Sequence, residues 1–152
     1  MPPREIAYAD IAALVGQEVG VSDWLEVTQE RVNRFAEATG DHQWIHVDVE
    51  RATRELGAPI AHGYLTLSLI AGLAPQVMTI TGLARGINYG ADRVRFTNTV
   101  PVGSRVRLRQ EMLSAEPKAG GLQVKNLCTV EIEGAERPAC VAETLSVLYP
   151  AE

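Results

Sequence analysis

The chain of 152 residues has little of several features that define large classes of protein. It contains two cysteines, its aromatic content is 5%, and its 14 lysines and arginines are outnumbered by 19 acidic residues, which gives a net charge of −5. This acidic balance argues against a nucleic-acid-binding protein, which needs clustered basic side chains to offset phosphate charge. An anionic ligand would therefore require a local group of basic residues.

Long apolar runs are also missing, since no stretch reaches the roughly 18 residues that a membrane-spanning helix needs. Residues 1–16 include acidic side chains and lack the apolar segment and cleavage site of a signal peptide. We therefore expect a cytoplasmic protein without a membrane partner. Cys128 and Cys140 lack metal-ligand spacing and are expected to be free thiols in the core. The length predicts one domain, residues 1–152.

The most apolar segment is HGYLTLSLIAGLA, residues 62–74. As a helix it would have no solvent face, so a sheet must wrap around it. After residue 75 the pattern alternates with a period of two, which is typical of strands. The sequence therefore predicts an α+β fold, in which an antiparallel sheet wraps around a central helix. The predicted strands cover residues 84–97, 104–114, 122–133 and 139–148.

Helix signals precede this central segment. Thr28 is a predicted N-cap for a helix that Gly40 ends, and Asp48 is a predicted cap for a second short helix that reaches Glu55. Three further elements are predicted, namely a short helix over residues 9–15, a strand over residues 21–27 and a structured loop over residues 41–47.

The predicted loop carries a carboxylate and an imidazole, Asp41 and His46. On one short loop both groups can reach a single water molecule, which Asp41 would hold while His46 takes or gives a proton. The alternative is structural, with Asp41 capping a turn after Gly40 and His46 packing as a half-buried side chain. Spacing alone does not exclude this alternative.

The start of the central helix is a second candidate for chemistry. Gly63 lets the backbone approach a ligand closely, and the first N–H groups of a helix have no partner within the helix. These amides can stabilise developing negative charge. The neighbouring His62 is expected to orient the loop or to pack against the helix entry.

Three segments resemble a known family. FAEATGDHQWIHVDVERA, residues 35–52, is similar to the signature of the (R)-specific enoyl-CoA hydratases and MaoC-like dehydratases. AHGYLTLSLIAGL resembles the helix entry of that family, and VRFTNTVPVGSRVRL resembles its strand, proline-valine turn and following strand. The residues of the first segment that fall in register are Gly40, Asp41, Ile45, His46 and Ala52.

The resemblance implies a hot-dog fold and a homodimer. It also implies reversible addition of water to trans-2-enoyl-CoA, giving (R)-3-hydroxyacyl-CoA, with no metal or other cofactor and with CoA as part of the substrate. Transferred by position, Asp41 and His46 would be the catalytic pair. The Gly63 amide would polarise the thioester carbonyl.

The loop departs from the family pattern at two positions, since Gln43 and Trp44 stand where the family has Asn and Pro. These residues suggest a branch similar to the mycobacterial and nodulation-protein-like MaoC members. We expect Gln43, Trp44 and His62 to contribute to substrate binding. Tyr64 is expected either to bond to the backbone or to line the acyl tunnel.

Arginines alternate along two predicted strands, as Arg93 and Arg95 and then as Arg105, Arg107 and Arg109. Alternation places each set on one face of its strand. A solvated outer face accounts for this pattern, and contact with CoA phosphates is the functional alternative. Among these arginines, Arg93 and Arg95 are the predicted substrate contacts.

Two other functions are compatible with the same fold. A thioesterase would use the carboxylate to direct water at the thioester carbonyl. A non-catalytic acyl-CoA-binding subunit would explain the altered residues Gln43 and Trp44. The pairing of Asp41 with His46 favours hydration over both alternatives.

Overall fold

The structure is a computed structural model, and it describes residues 2–152. A short strand and a 3-10 helix, Tyr8–Leu14, precede the main helices, and long strands make up the second half of the chain. The strands are β1 (Arg4–Ala7), β2 (Glu18–Val21), β3 (Leu25–Glu26), β4 (Met78–Thr81), β5 (Leu83–Arg95), β6 (Arg105–Lys118), β7 (Gly121–Ile132) and β8 (Cys140–Pro150). The α-helices are α1 (Gln29–Thr39), α2 (Trp44–Val47), α3 (Val49–Leu56) and α4 (Gly63–Val77).

One antiparallel sheet contains most of the strands. Its order is β2-β6-β7-β8-β5, and β3 also pairs with β6. The inner face of this sheet packs against α4, which is the predicted central helix. The α+β architecture and the central helix are therefore confirmed. The parallel pair of β1 and β4 was not predicted, because each strand has only four residues.

Local capping explains the two predicted helices in the first half. The Thr28 hydroxyl accepts a hydrogen bond from the Arg31 N–H, and Gly40 ends α1 in the left-handed conformation at φ 82°. The Asp48 carboxylate accepts from the Arg51 N–H at the start of α3. Both predicted helices are confirmed, and their observed ends lie within one residue of the predicted ends.

Three predictions for this half need correction. The loop over residues 41–47 contains a helical turn, α2. The strand over residues 21–27 is split, because Ser22 leaves the strand and its hydroxyl instead accepts from the Leu108 N–H. The central helix also continues past residue 74 to Val77, with Pro75 in its last turn. Pro75 has no N–H to donate to the carbonyl of Ala71, but Ala71 is exposed, so water can take the place of the missing donor.

The expectation that the central helix has no solvent face is wrong for the single chain. Its buried side includes Leu65, Ile70 and Leu73, which pack into the core. On the opposite side Tyr64 is 69% exposed, and Ala71 is exposed as well. The sheet of one chain covers one side of the helix, so an uncovered stripe remains.

The cysteines are free and buried, as predicted. Burial raises the pKa of the Cys140 thiol to about 11, and the neighbouring Cys128 contributes to the same shift. Because the thiolate is the reactive form, these side chains fill core volume and are poor nucleophiles. None of the helices in residues 2–152 combines the length and hydropathy that a membrane span requires.

Candidate functional site

The first part of the site is the segment that follows α1. Gly40 turns the chain, and the Asp41 carboxylate then accepts a hydrogen bond from the Gln43 N–H at 3.3 Å. This local turn holds the carboxylate at the protein surface, where Asp41 is exposed. The turn capping expected under the structural alternative is therefore present, and it leaves the second carboxylate oxygen available to a ligand.

His46 lies two residues into α2 and is 6% exposed. Its Nδ1 is 2.7 Å from the Ile60 carbonyl oxygen. A carbonyl only accepts, so Nδ1 carries the proton and Nε2 of the neutral ring carries a lone pair. The His46 carbonyl in turn accepts from the Gln29 side chain at 2.8 Å. The fold therefore fixes both the tautomer and the orientation of a potential base.

His62 connects the loop to the helix entry. Its Nε2 donates to the Asp41 carbonyl oxygen at 3.0 Å, and its ring stacks on that of His46 with centroids 3.8 Å apart. The Phe35 ring covers it at 4.8 Å. These contacts match the orienting role expected for His62. Its Nδ1 is buried without a partner among residues 2–152.

Gly63 is the first residue of α4. The segment before it is fixed because the Ala61 N–H donates to the Val100 carbonyl at 2.8 Å. The Gly63 N–H has no acceptor within residues 2–152. A Cβ at this position would lie 2.9 Å from the Phe96 ring, so the close approach requires glycine. The amide is thus free and rigidly placed.

A pocket of about 540 Å³ joins these groups. His46, Gly63 and Thr66 line one part of it, and Phe96 and Arg137 line another. Asp41 lies beside this pocket, since one of its carboxylate oxygens and one ring nitrogen each of His46 and His62 lie within 4.8 Å of one another. The arrangement can hold a water molecule between carboxylate and imidazole and can hold a carbonyl oxygen at the glycine amide.

The same three side chains could be taken for a metal site, but their geometry does not favour one. A metal ion lies in the plane of each ligating imidazole at about 2.0–2.1 Å. The rings of His46 and His62 are stacked with an interplanar angle of 23°. Nearly parallel rings cannot both direct a lone pair at one ion between them.

The other predicted binding residues lie around the rim. Gln43 is exposed before α2, and Trp44 packs under the Arg51 guanidinium at 4.0 Å. Tyr64 makes an edge-to-face contact with Phe96, with ring centroids 5.9 Å apart. Among the residues that the structure describes, the lining of the pocket does not include these three side chains. Their roles in binding stay predictions.

The alternating arginines of β6 form ion pairs on the outer face of the sheet. Hydrogen bonds join Arg107 and Arg109 to Glu131, and Arg105 to Glu133. Burial opposes ionisation of Glu131, but the two arginines outweigh it and lower the pKa of that carboxyl. These contacts agree with the solvated outer face proposed for this strand.

The two arginines predicted to contact substrate lie on β5. The Arg93 guanidinium is 3.6 Å from the Glu143 carboxylate, and Arg95 donates to the Val94 carbonyl at 2.7 Å. The pocket instead contains Arg137, which sequence reasoning missed. Arg137 has no carboxylate partner among residues 2–152. It lies in the turn between β7 and β8, where no periodic pattern could identify it.

Comparison with known proteins adds independent findings. A family model described as "MaoC like domain" matches residues 10–132. The 3-hydroxyacyl-thioester dehydratase Z of Mycobacterium tuberculosis is 52% identical over 141 residues, which cover 91% of this chain and 93% of that protein. Nodulation protein N of Rhizobium leguminosarum bv. viciae is 43% identical over 149 residues, which cover 95% and 92%.

Solved structures give the same picture of the fold. The unliganded R-Hydratase PhaJ1 from Pseudomonas aeruginosa superimposes with a TM-score of 0.75 at 25% identity, covering 95% of this chain and 86% of that one. The (R)-hydratase from A. caviae superimposes with a TM-score of 0.68. The fold shared with these proteins is the hot-dog fold, so the predicted fold is confirmed.

Proposed function

This chain belongs to the MaoC-like dehydratase family, and from that membership we propose that it catalyses the reversible hydration of trans-2-enoyl-CoA to (R)-3-hydroxyacyl-CoA. Relatives named as dehydratases make it a hydro-lyase of the dehydratase or hydratase type. One geometric observation supports the finer proposal. His46 and the free Gly63 amide face one pocket, with the Asp41 carboxylate beside them.

The proposed reaction begins with a water molecule held by Asp41 and His46. His46 Nε2 takes one proton from the water as the oxygen bonds to the β-carbon of the enoyl group. The electrons of the double bond move to the thioester oxygen, where the Gly63 N–H stabilises the enolate. His46 then returns its proton to the α-carbon, and the product forms by syn addition. The dipole of α4 adds to the stabilisation of the oxyanion.

This reaction transfers a proton and a hydroxyl group and involves no change in redox state. We therefore propose that it needs no metal or redox cofactor, and that CoA enters only as part of the substrate. Asp41 keeps the water oriented by accepting its second hydrogen. His62 holds the backbone of Asp41 and supports the ring of His46.

Incubation of the purified protein with trans-2-enoyl-CoA thioesters from crotonyl-CoA to dodecenoyl-CoA tests this proposal. We expect loss of the absorbance of the conjugated thioester, with the corresponding 3-hydroxyacyl-CoA as product. Release of free CoA from saturated acyl-CoAs, without hydration, would instead indicate a thioesterase. Tight acyl-CoA binding with no turnover at any chain length would indicate a non-catalytic subunit.

We further propose that Arg137 contacts a phosphate of CoA at the pocket mouth. Arg137→Gln is expected to raise KM for crotonyl-CoA about tenfold, because a charge-assisted hydrogen bond to phosphate is lost. The crotonyl thioester of N-acetylcysteamine carries no phosphate, so the same variant should lose little activity on it. Steady-state kinetics with both substrates measures the difference.

Arg93→Gln is the matched control for this prediction. Arg93 is an arginine of β5 whose side chain is 85% exposed and lies near Glu143. A tenfold effect in this variant, with none in Arg137→Gln, would assign the phosphate contact to the β5 arginines. Equal losses on both thioesters would show that Arg137 acts on something other than phosphate.

We propose a homodimer, because β5 is an edge strand of the sheet and leaves apolar side chains uncovered. Ile87 on this strand is 49% exposed and lies on an edge that another strand can pair with. Sedimentation velocity at micromolar concentration should give a dimer, and Ile87→Lys should shift it towards monomer. Leu56→Lys is the control, since Leu56 is 50% exposed on α3. A monomeric wild type would contradict the proposal.

A further inference from the structure

A row of polar side chains crosses the inner face of the main sheet, on the side that packs against α4. We call it the inner polar belt. Its members come from four adjacent strands and are Gln110, Asn126, Thr144, Ser146 and Asn88. An inner sheet face is ordinarily apolar, because it forms the core. These side chains therefore require an explanation that packing does not supply.

The register of the strands places the members of the inner polar belt next to one another. Asn126 pairs directly with Thr144 across β7 and β8, and Asn88 pairs with Ser146 across β5 and β8. Gln110 pairs with Cys128, whose Sγ lies 3.5 Å from the Thr144 hydroxyl. The belt is thus continuous from β6 to β5.

Two amides of the belt lack hydrogen-bond partners. Gln110 is 4% exposed and lies between the fully buried Leu108 and Met112 on the same face of β6. Its side chain makes no hydrogen bond within residues 2–152. The Oδ1 atom of Asn126 is also buried without a partner. Leaving the buried Asn126 oxygen unpaired lowers the stability of the folded state, so a ligand that donates a hydrogen bond to it is favoured.

Two cavities place these amides within reach of a ligand. They have volumes of about 540 and 500 Å³ and share both amides as lining residues. The other wall is formed by α4, where Ala71 and Ala74 line both cavities. Alanine leaves space between helix and sheet that a larger side chain would fill.

The belt faces a part of α4 that lies about two to three turns beyond the catalytic pocket. Thr66 lines the catalytic pocket, and Ile70, one turn later on the same helix face, lines the first of the two cavities. The helix rise of 1.5 Å per residue places Ala71 about 12 Å and Ala74 about 16 Å from Gly63. A medium-length acyl chain whose carbonyl is bound at Gly63 reaches this distance.

We propose that the inner polar belt binds a hydroxyl group near the distal end of the acyl chain. This inference rests on the proposed function, since it assumes that the thioester carbonyl lies at Gly63. A hydroxyl group both donates and accepts, so it satisfies Asn126 Oδ1 and the Gln110 amide together. A wholly apolar chain of the same length would leave both amides unpaired.

The test compares trans-2-dodecenoyl-CoA with its 12-hydroxy derivative. The wild type is expected to have a kcat/KM about tenfold higher for the hydroxylated thioester, which corresponds to one good hydrogen bond. Gln110→Leu and Asn126→Leu should each abolish or reverse this preference. Gln17→Leu is the control and should keep the wild-type ratio. Gln17 is exposed and follows the 3-10 helix, where its side chain donates to the Ala13 carbonyl.

The outcomes separate this inference from the proposed function. Turnover of crotonyl-CoA by the wild type reports on hydration, because its chain is too short to reach the belt. If crotonyl-CoA is hydrated but the wild type prefers the unsubstituted dodecenoyl thioester or shows no preference, the inference is overturned. A wild-type preference that persists in Gln110→Leu and Asn126→Leu also overturns it. If one variant does not fold, the other variant and the wild-type ratio of kcat/KM for the two dodecenoyl thioesters still test the inference.

Discussion

His46→Gln is expected to lower kcat for enoyl-CoA hydration by about 10²–10⁴-fold, the contribution that a positioned acid–base group makes. The glutamine can keep a hydrogen bond to the Ile60 carbonyl, but it has no nitrogen that exchanges a proton near neutral pH. His42→Gln is the matched control. His42 lies four residues earlier and is exposed, so its substitution should leave kcat within about twofold of wild type.

Asp41→Asn is expected to lower kcat as well, because it removes the carboxylate charge from the proposed catalytic pair. Asparagine retains an oxygen that can accept from the Gln43 N–H, and it retains the backbone carbonyl that His62 contacts. A large loss of kcat would therefore report on the carboxylate charge rather than on the loop conformation. Circular dichroism and thermal melting of the variants should match the wild type. Full activity in both His46→Gln and Asp41→Asn would exclude the proposed pair.

Gly63→Ala is expected to lower kcat by about 10²-fold or more, as removal of an oxyanion-hole donor does. The added Cβ would lie 2.9–3.0 Å from three atoms of the Phe96 ring, so either that ring or the start of α4 must move. Either movement changes the pocket that receives the thioester carbonyl. Stopped-flow or steady-state hydration of crotonyl-CoA measures the loss.

Two variants make the Gly63 prediction specific. Gly72→Ala, later in the same helix, meets no atom within 4 Å and should be active, with a small gain in stability from helix propensity. Phe96→Leu in the Gly63→Ala background removes ring atoms and should restore part of the activity. Wild-type kcat in Gly63→Ala would contradict the role of the amide. Loss of activity in Gly72→Ala would show that the effect is not local to Gly63.

The helix caps could be predicted because they depend on neighbouring residues. Thr28 and Asp48 bond to the N–H groups three residues later, and such contacts are fixed by local sequence. The apolar segment over residues 62–74 identified the central helix for a similar reason. Its uncovered stripe could not be predicted, since coverage depends on how far one chain's sheet extends around it.

The candidate site also contains some residues that the sequence predicts and others that it does not. Asp41, His46 and Gly63 can be recognised in the sequence by their chemistry and spacing, and the fold brings them to one place. Arg137 could not be found, because its position depends on how the turn between β7 and β8 packs against the pocket. The pairing of the β6 arginines with acidic residues of β7 likewise depends on strand register.

The inner polar belt could be predicted from the sequence only in part. Gln110 occupies an inward position of a strand whose other inward residues are apolar, and it could have been noticed as an exception to the alternation. The second amide, Asn126, pairs with Met112, and it becomes significant only when the register of β6 and β7 is known. Long-range pairing therefore carries the information that sequence patterns lack.

The configuration of the hydration product is the most direct measurement of the central claim. Crotonyl-CoA should be incubated with the wild type and with His46→Gln, and the 3-hydroxybutyryl-CoA analysed by chiral chromatography. We expect the (R)-product from the wild type and almost none from the variant, since His46 and Asp41 hold water on one face of the enoyl group. The (S)-product, a racemic mixture, or an equal yield from His46→Gln would contradict the account.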